Sequence, residues 1–156
     1  IAQSEAQARN MWVIRESVAP ASRAEGPGLS YDISVSISKI PAFIEQGVKA
    51  AFDILPSIRP YPLGHIGDGN LHFSFMGPLG MDRETLKQYS PAITRAVNDL
   101  VTSMAGSISA EHGIGSLKAH TLPKYKSPVA LRMMREIKRA LDPKNILNPG
   151  RVLAEG

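Results

Sequence analysis

Three short segments of the chain alternate between apolar and polar residues, which is the pattern of a half-buried β-strand. They are "YDISVSIS" (31–38), "NLHFSF" (70–75) and "SISAE" (107–111). One face of each strand is aliphatic or aromatic, and the other contains serine and carries Asp32, His72 or Glu111. Because helices cover the apolar face of such a sheet, we expect the chemistry of the protein on the polar face.

Apolar residues at helical spacing predict four helices. Their expected spans are 1–18, 39–55, 83–104 and 128–141. The first helix should end where "PASRAEGPG" (20–28) brings prolines and glycines into the chain, and the last should begin at Pro128, behind an N-cap at Ser127. A proline-interrupted edge strand in "SIRPYPLGH" (57–65) should form a hairpin with the strand at 70–75.

The order of these elements predicts an α+β fold. Between the first and last helices the chain reads βαββαβ, the split arrangement of ferredoxin-like folds. We therefore expect an antiparallel sheet with helices on one face and extra N- and C-terminal helices. With 156 residues, the chain is expected to form a single domain over 1–156.

Composition narrows the function classes. Hydrophobic residues make up 43% of the chain, yet no apolar run reaches the roughly 18 residues of a membrane span, so no transmembrane segment is expected. The net charge of +4 is scattered, which argues against a nucleic-acid partner. The chain has no cysteine, so a metal would need His, Asp or Glu ligands. Missing cysteines and targeting signals favour the bacterial cytoplasm or an organelle matrix.

Two of the four histidines flank one glycine-rich turn, "HIGDGNLH" (65–72). Gly67 and Gly69 permit a chain reversal that could bring the rings of His65 and His72 together. With Glu111 from a neighbouring polar face, they form a ligand set suited to a divalent metal. The alternative is that both histidines bond backbone groups around a hairpin.

Two further residues are candidates for chemistry. His112 directly follows Glu111 and precedes "GIG", so it could act as a general base near neutral pH; the alternative is a surface histidine paired with Glu111. Arg15, near Trp12 in "MWVIRES", could hold a carboxylate in its guanidinium fork, or could be an ordinary arginine on a helix surface.

Four segments, taken in order, resemble the C-terminal, substrate-binding portion of a known enzyme family. They are "MWVIRES", "GHIGDGNLHFSF", "SAEHGIGSLK" and "LDPKNILNPGRVL". The family is that of the FAD-linked 2-hydroxyacid dehydrogenases and oxidases, which includes the D-lactate, glycolate and D-2-hydroxyglutarate enzymes. The pairing of "HIGDGNLH" with "AEHGIG" at this separation is far more specific than either fragment alone.

The resemblance implies a role for each candidate residue. It implies that His65, His72 and Glu111 hold zinc or manganese, that His112 is the base, and that Arg15 binds the substrate carboxylate. The matching position of Asn148, in "LNPG", lies near the flavin in relatives. FAD would be held mainly by an N-terminal domain that nothing in this chain resembles, so that domain and a small 2-hydroxy acid are the implied partners. A homodimer remains an open alternative.

Two positions depart from some relatives with a dicarboxylate substrate. Those relatives have a threonine four residues after the arginine and a lysine just before the "YD" pair, where this chain has Ala19 and Ser30. We therefore expect oxidation of a smaller or more apolar D-2-hydroxy acid, which is lactate-like, glycolate-like or larger, rather than of 2-hydroxyglutarate. The rival function is a non-catalytic metal-binding or docking module.

Overall fold

The computed structural model describes residues 1–65 and 67–154. Its helices and strands follow one another in the order α1, β1, α2, β2, β3, β4, α3, α4, α5. The helices are α1 (Glu5–Ala24), α2 (Ile40–Ile54), α3 (Arg83–Ser103), α4 (Leu122–Tyr125) and α5 (Pro128–Leu141). The strands are β1 (Gly28–Ser34), β2 (Arg59–Pro60), β3 (Leu63–His65) and β4 (Asn70–Met76).

The sheet is antiparallel and centred on β4. β1 lies on one side of β4, and the short strands β2 and β3 lie on the other. On its outer edge β1 also forms a bridge from Ser34 to Ser107. The order across the sheet is β1, β4, then β2 with β3, and the Ser34–Ser107 bridge lies where the predicted βαββαβ arrangement has its last strand. The α+β class is confirmed.

The strand alternation places the core on one face of the sheet, as predicted. Ile33 of β1 and the alternate residues of β4, Leu71, Phe73 and Phe75, are buried against α2 and α3. Phe73 is at the centre, with ring centroids 4.9 Å from Phe43 and 4.8 Å from Phe75. The opposite face carries the pairs Asp32 with His72 and Ser30 with Ser74. The core therefore fixes which side chains the polar face displays.

The first helix is longer than predicted. It continues through Pro20 to Ala24, although the prolines and glycines of 20–28 indicated a break at about residue 18. The residues after Pro20 are mostly good helix formers, and the helix ends only before Gly26, which adopts a φ of 115°. None of the residues of α1 is buried, and its apolar side chains Met11, Trp12, Val13 and Ile14 are exposed.

Two other expectations about strands are wrong. Ile37 does not extend β1 but lies in a 3-10 turn, Ile37–Lys39, where its side chain is exposed. The predicted strand at 107–111 is reduced, within the described chain, to the bridge between Ser107 and Ser34. Beyond Ser109 the chain turns because its backbone N–H groups bind a side chain of β1 rather than a strand edge.

In the parts of the chain that the structure describes, no helix combines the length and the apolar character needed to cross a membrane.

Candidate functional site

The site begins with one cross-strand pair on the polar face. Asp32 of β1 and His72 of β4 are register partners, so their side chains leave the sheet side by side. The Oδ1 atom of Asp32 lies 3.9 Å from Nδ1 of His72. Since Nδ1 faces Asp32, the other ring nitrogen of His72 is turned outward, toward Glu111.

Three imidazoles meet at one oxygen of Glu111. Oε1 of Glu111 lies 3.2 Å from Nε2 of His72, 3.6 Å from Nε2 of His112 and 4.0 Å from Nε2 of His65. The rings of His65 and His72 meet edge to face with centroids 5.4 Å apart, and His112 stacks on His72 at 5.5 Å. The structure therefore brings together the three proposed metal ligands and the proposed base.

The hairpin that carries His65 and His72 is fixed by its turn. Gly69 adopts a φ of 78°, and a Cβ there would overlap the carbonyl oxygen of Val35. The N–H of Asn70 donates to Oδ1 of Asp68 at 3.0 Å, an Asx-type bond that stabilises the reversal. Strand pairing then sets His65 opposite Asn70, with His72 two residues further along β4.

Asp32 also holds the segment that presents Glu111 and His112. One of its oxygens, Oδ2, accepts the backbone N–H groups of Ala110 at 2.9 Å, Glu111 at 3.1 Å and His112 at 2.9 Å. Its side chain is buried. Burial alone would raise the pKa of Asp32, but the N–H groups of His112, Ala110 and Glu111 and the charge of His112 outweigh it and lower the pKa.

A half-buried lysine supports the same segment from the other end. Nζ of Lys118 donates to the carbonyl oxygen of Ile108 at 2.8 Å. Burial lowers the pKa of Lys118, and the charge of Asp32 opposes that shift. A residue between these anchors, Ser109, closes the turn by donating to the carbonyl oxygen of Gly113 at 2.7 Å.

The donor set fits a divalent metal. Ligand bonds of about 2.0–2.2 Å place two ligands of a tetrahedral zinc site about 3.3–3.5 Å apart. The distances of 3.2 Å and 3.6 Å from Glu111 to His72 and His112 are close to that spacing. His65 lies 4.0 Å from Glu111 and is not in the group of residues whose ligand atoms all lie within 4.8 Å of one another. Asp32, His72, Glu111 and His112 each offer a ligand atom within 4.8 Å of the others. Imidazole and carboxylate donors together suit zinc or manganese.

Two predicted site residues lie on other parts of the fold. Arg15 is on the exposed helix α1, where its guanidinium carbon lies 5.9 Å from the centre of the Trp12 ring. Asn148 is in the C-terminal segment with a φ of 48°, and its carbonyl oxygen accepts the N–H of Arg151. It borders an apolar groove whose lining includes Ile137, Leu141, Leu147 and Val152. The contacts described for Arg15 and Asn148 do not include the cluster of His65, His72, Glu111 and His112.

In the sequence analysis, Asp32 was placed on the polar face but was assigned no role. Lys118 was assigned no role either. The alternation around Asp32 was a usable signal, because an acidic residue opposite a histidine on a serine-lined face needs a partner. Nothing in the pattern around Lys118 points to its bond with Ile108.

This fold and cluster define an α+β domain whose polar sheet face carries a possible metal-ligand group. Residues 1–152 match the sequence model of the FAD-linked oxidases, C-terminal domain. The chain belongs to this family, and the resemblance seen in its four motifs is confirmed.

Three similar curated proteins carry the same activity in their names. The D-2-hydroxyglutarate dehydrogenase of Stutzerimonas stutzeri (strain A1501) is 35% identical over 154 residues, which cover 99% of this chain and 33% of that protein. The enzyme of the same name from Xanthomonas citri pv. viticola is 37% identical over 152 residues, 97% of this chain and 32% of its own length. A probable mitochondrial D-2-hydroxyglutarate dehydrogenase of Oryza sativa subsp. japonica is 37% identical over 155 residues, 99% of this chain and 26% of its length. The chain thus spans a quarter to a third of these relatives.

Proposed function

We propose that this chain is the substrate- and metal-binding C-terminal domain of an FAD-dependent oxidoreductase that oxidises a D-2-hydroxy acid to the 2-oxo acid. The observation that carries the proposal is the meeting of three imidazoles at one oxygen of Glu111. Membership in the FAD-linked oxidase family supplies the cofactor class. An N-terminal FAD domain is the partner that this assignment requires.

In this proposal His65, His72 and Glu111 hold zinc or manganese. When bound, the metal would act as a Lewis acid toward the substrate hydroxyl, and FAD would accept hydride from the adjacent carbon. The ligands come from β3, β4 and the 107–113 segment, so the site depends on the folded sheet. The short distance from Glu111 to His72 supports these two members of the set, and His65 would have to move closer to share an ion with them. The group of ligand atoms within 4.8 Å of one another also contains Asp32 and His112.

His112 is the proposed base. Its side chain is 65% exposed, so Nε2 can meet a substrate that approaches the polar face from solvent. The hydroxyl proton would pass to His112 while the substrate carbon is oxidised. Arg15 would fix the substrate carboxylate through a forked contact, and Asn148 would lie toward the flavin. Both assignments rest on the family resemblance.

Two observations bear on the size of the proposed 2-hydroxy acid substrate. The names of the relatives favour 2-hydroxyglutarate. The residues that would meet a second carboxylate argue for a smaller acid, because Ala19 offers no donor and the hydroxyl of Ser30 is 2.8 Å from that of Ser74. We keep lactate-like or glycolate-like acids as the predicted substrates, with 2-hydroxyglutarate as the competing outcome.

A non-catalytic docking module is the second candidate, because α1 exposes Trp12 and Ile14 at 60% and 70%. A domain that binds a metal and serves only to bind a partner protein would have both the histidine cluster at Glu111 and these exposed apolar side chains. Exposed apolar side chains on one helix are typical of protein interfaces.

The test is metal content and turnover in one preparation. The protein at its full natural length is purified without chelators, analysed for zinc and manganese, and assayed for flavin reduction by D-lactate, glycolate and D-2-hydroxyglutarate. We expect near-stoichiometric metal, loss of the metal in His72→Ala, and reduction by at least one acid. Metal without reduction by any 2-hydroxy acid would favour the docking module, and absence of metal after both ions are supplied would refute the metal site.

A further inference from the structure

One buried carboxylate contacts both halves of the candidate metal site. Asp32 faces Nδ1 of His72 across the β1–β4 pair, and its Oδ2 atom accepts three successive backbone N–H groups from Ala110 to His112. Among the proposed ligands, His72 belongs to the hairpin and Glu111 to the irregular segment after Ser107. Asp32 is the residue that ties the two segments together.

We infer that Asp32 is a positioning residue, which holds the backbone of Glu111 and His112 in place and orients the His72 ring through its Nδ1 atom. This inference rests on the proposed metal site. The two carboxylates face different ring nitrogens of His72, since Asp32 faces Nδ1 and Glu111 faces Nε2.

The geometry approaches the outer-shell arrangement, in which a histidine binds the metal with one ring nitrogen and donates the N–H of its other ring nitrogen to a carboxylate. Here Nδ1 of His72 lies 3.9 Å from Asp32, so a shift of about 1 Å would complete the hydrogen bond. That bond would fix the tautomer with Nε2 free to bind a metal.

The contact with the 110–112 segment is already formed. Successive N–H groups that converge on one anion make a concave site, which is normally filled by a ligand such as phosphate. In this protein the anion is a side chain of the neighbouring strand, and it is 5% exposed. The carboxylate therefore determines the course of the chain where Glu111 and His112 leave it.

The experiment compares two buried aspartates of similar design. Asp32→Asn keeps the side-chain volume but removes the charge and one acceptor oxygen. The matched control is Asp142→Asn, since Asp142 is 6% exposed and accepts the N–H groups of Ile146 and Leu147 in the C-terminal segment. Both variants are made in the protein at its full natural length.

The first readout is affinity for Mn²⁺, measured by the electron spin resonance signal of the free ion. Loss of an outer-shell partner typically weakens metal binding about 10–100-fold, and we expect Asp32→Asn to fall in that range while Asp142→Asn stays near wild type. The second readout is backbone hydrogen exchange without metal. Exchange should speed up at 110–112 in Asp32→Asn, and at 146–147 in Asp142→Asn.

The outcomes separate the two proposals. A wild-type protein that binds neither Mn²⁺ nor Zn²⁺ refutes the metal site, and the exchange comparison alone then decides whether Asp32 holds the 110–112 segment. Unchanged exchange at 110–112, or Mn²⁺ affinity in Asp32→Asn equal to that of Asp142→Asn, overturns the role of Asp32. If Asp32→Asn does not fold, Asp32→Glu makes the same comparison, because it keeps the charge and moves the carboxylate by one methylene.

Discussion

Replacing His112 with alanine should separate catalysis from metal binding. The side chain of His112 is 65% exposed, and the hydrogen bond of His112 to Asp32 uses the backbone N–H, which alanine retains. The substitution leaves no buried cavity and no unsatisfied buried group. We therefore expect the free energy of unfolding to change by no more than about 0.5 kcal/mol.

The expected loss of turnover follows from the proposed role of His112. A positioned general base contributes about 10²–10⁴-fold, which corresponds to about 2.7–5.4 kcal/mol of activation free energy. The metal should remain, since His65, His72 and Glu111 are untouched. The matched variant is His72→Ala, which removes the nitrogen closest to Glu111, at 3.2 Å, and should lose the metal together with activity.

The assay follows flavin reduction in a single turnover, because this step reports proton and hydride transfer without the electron acceptor. Metal content is measured on the same samples. Turnover of His112→Ala within a few-fold of wild type would refute its role as base. Loss of metal in His112→Ala would make His112 a ligand, which its distance of 3.6 Å to Glu111 also allows.

Three further predictions test the fold, the acid stability and the substrate. Gly47→Ala should cost about 1–3 kcal/mol in urea unfolding, because its Cβ would lie 2.7 Å from a carbon of the buried Phe73 ring; unchanged stability would contradict this packing. The bond from Lys138 outweighs burial and, with the N–H groups of residues 146 and 147, lowers the pKa of Asp142. Its stabilisation is therefore present above the unfolded pKa of about 3.9 and is lost as the pH falls through the folded value. Asp142→Asn should accordingly flatten the pH dependence of unfolding below about pH 4. Ala19→Thr combined with Ser30→Lys should raise kcat/KM for D-2-hydroxyglutarate relative to D-lactate, and an unchanged ratio would contradict our interpretation of these positions.

The parts of the fold that follow a strict period could be predicted from the sequence. Alternation with a period of two places Phe73 in the core and His72 on the polar face, and the register with β1 then sets His72 beside Asp32. The spans of α2, α3 and α5 agree with their apolar spacing to within about two residues, the usual uncertainty of helix ends. The glycines of the 65–72 turn correctly indicated that the two histidines meet.

Features that depend on tertiary contacts could not be predicted. Asp32, which is far away in the sequence, determines the course of the 110–112 segment. The alternation of apolar and polar residues around 107–111 does not indicate this contact. The extension of α1 beyond Pro20 was missed because a proline inside a helix removes one hydrogen bond, a cost that the remaining turns of the helix can offset. The spacing of apolar residues along α1 also does not indicate that the whole helix is exposed.

The absence of the predicted strand at 107–111 and the formation of the candidate site have the same cause. After the bridge from Ser34 to Ser107, a regular antiparallel ladder would set Ser109 opposite Asp32 and would give the following N–H groups to β1 or to solvent. Instead, the N–H groups of residues 110–112 bind the Asp32 carboxylate, so these backbone donors are satisfied without a strand. A continued strand would send Glu111 and His112 to opposite faces of the sheet. Because the chain turns at this point, both side chains reach His72, and the local break in the sheet is what allows the site to form.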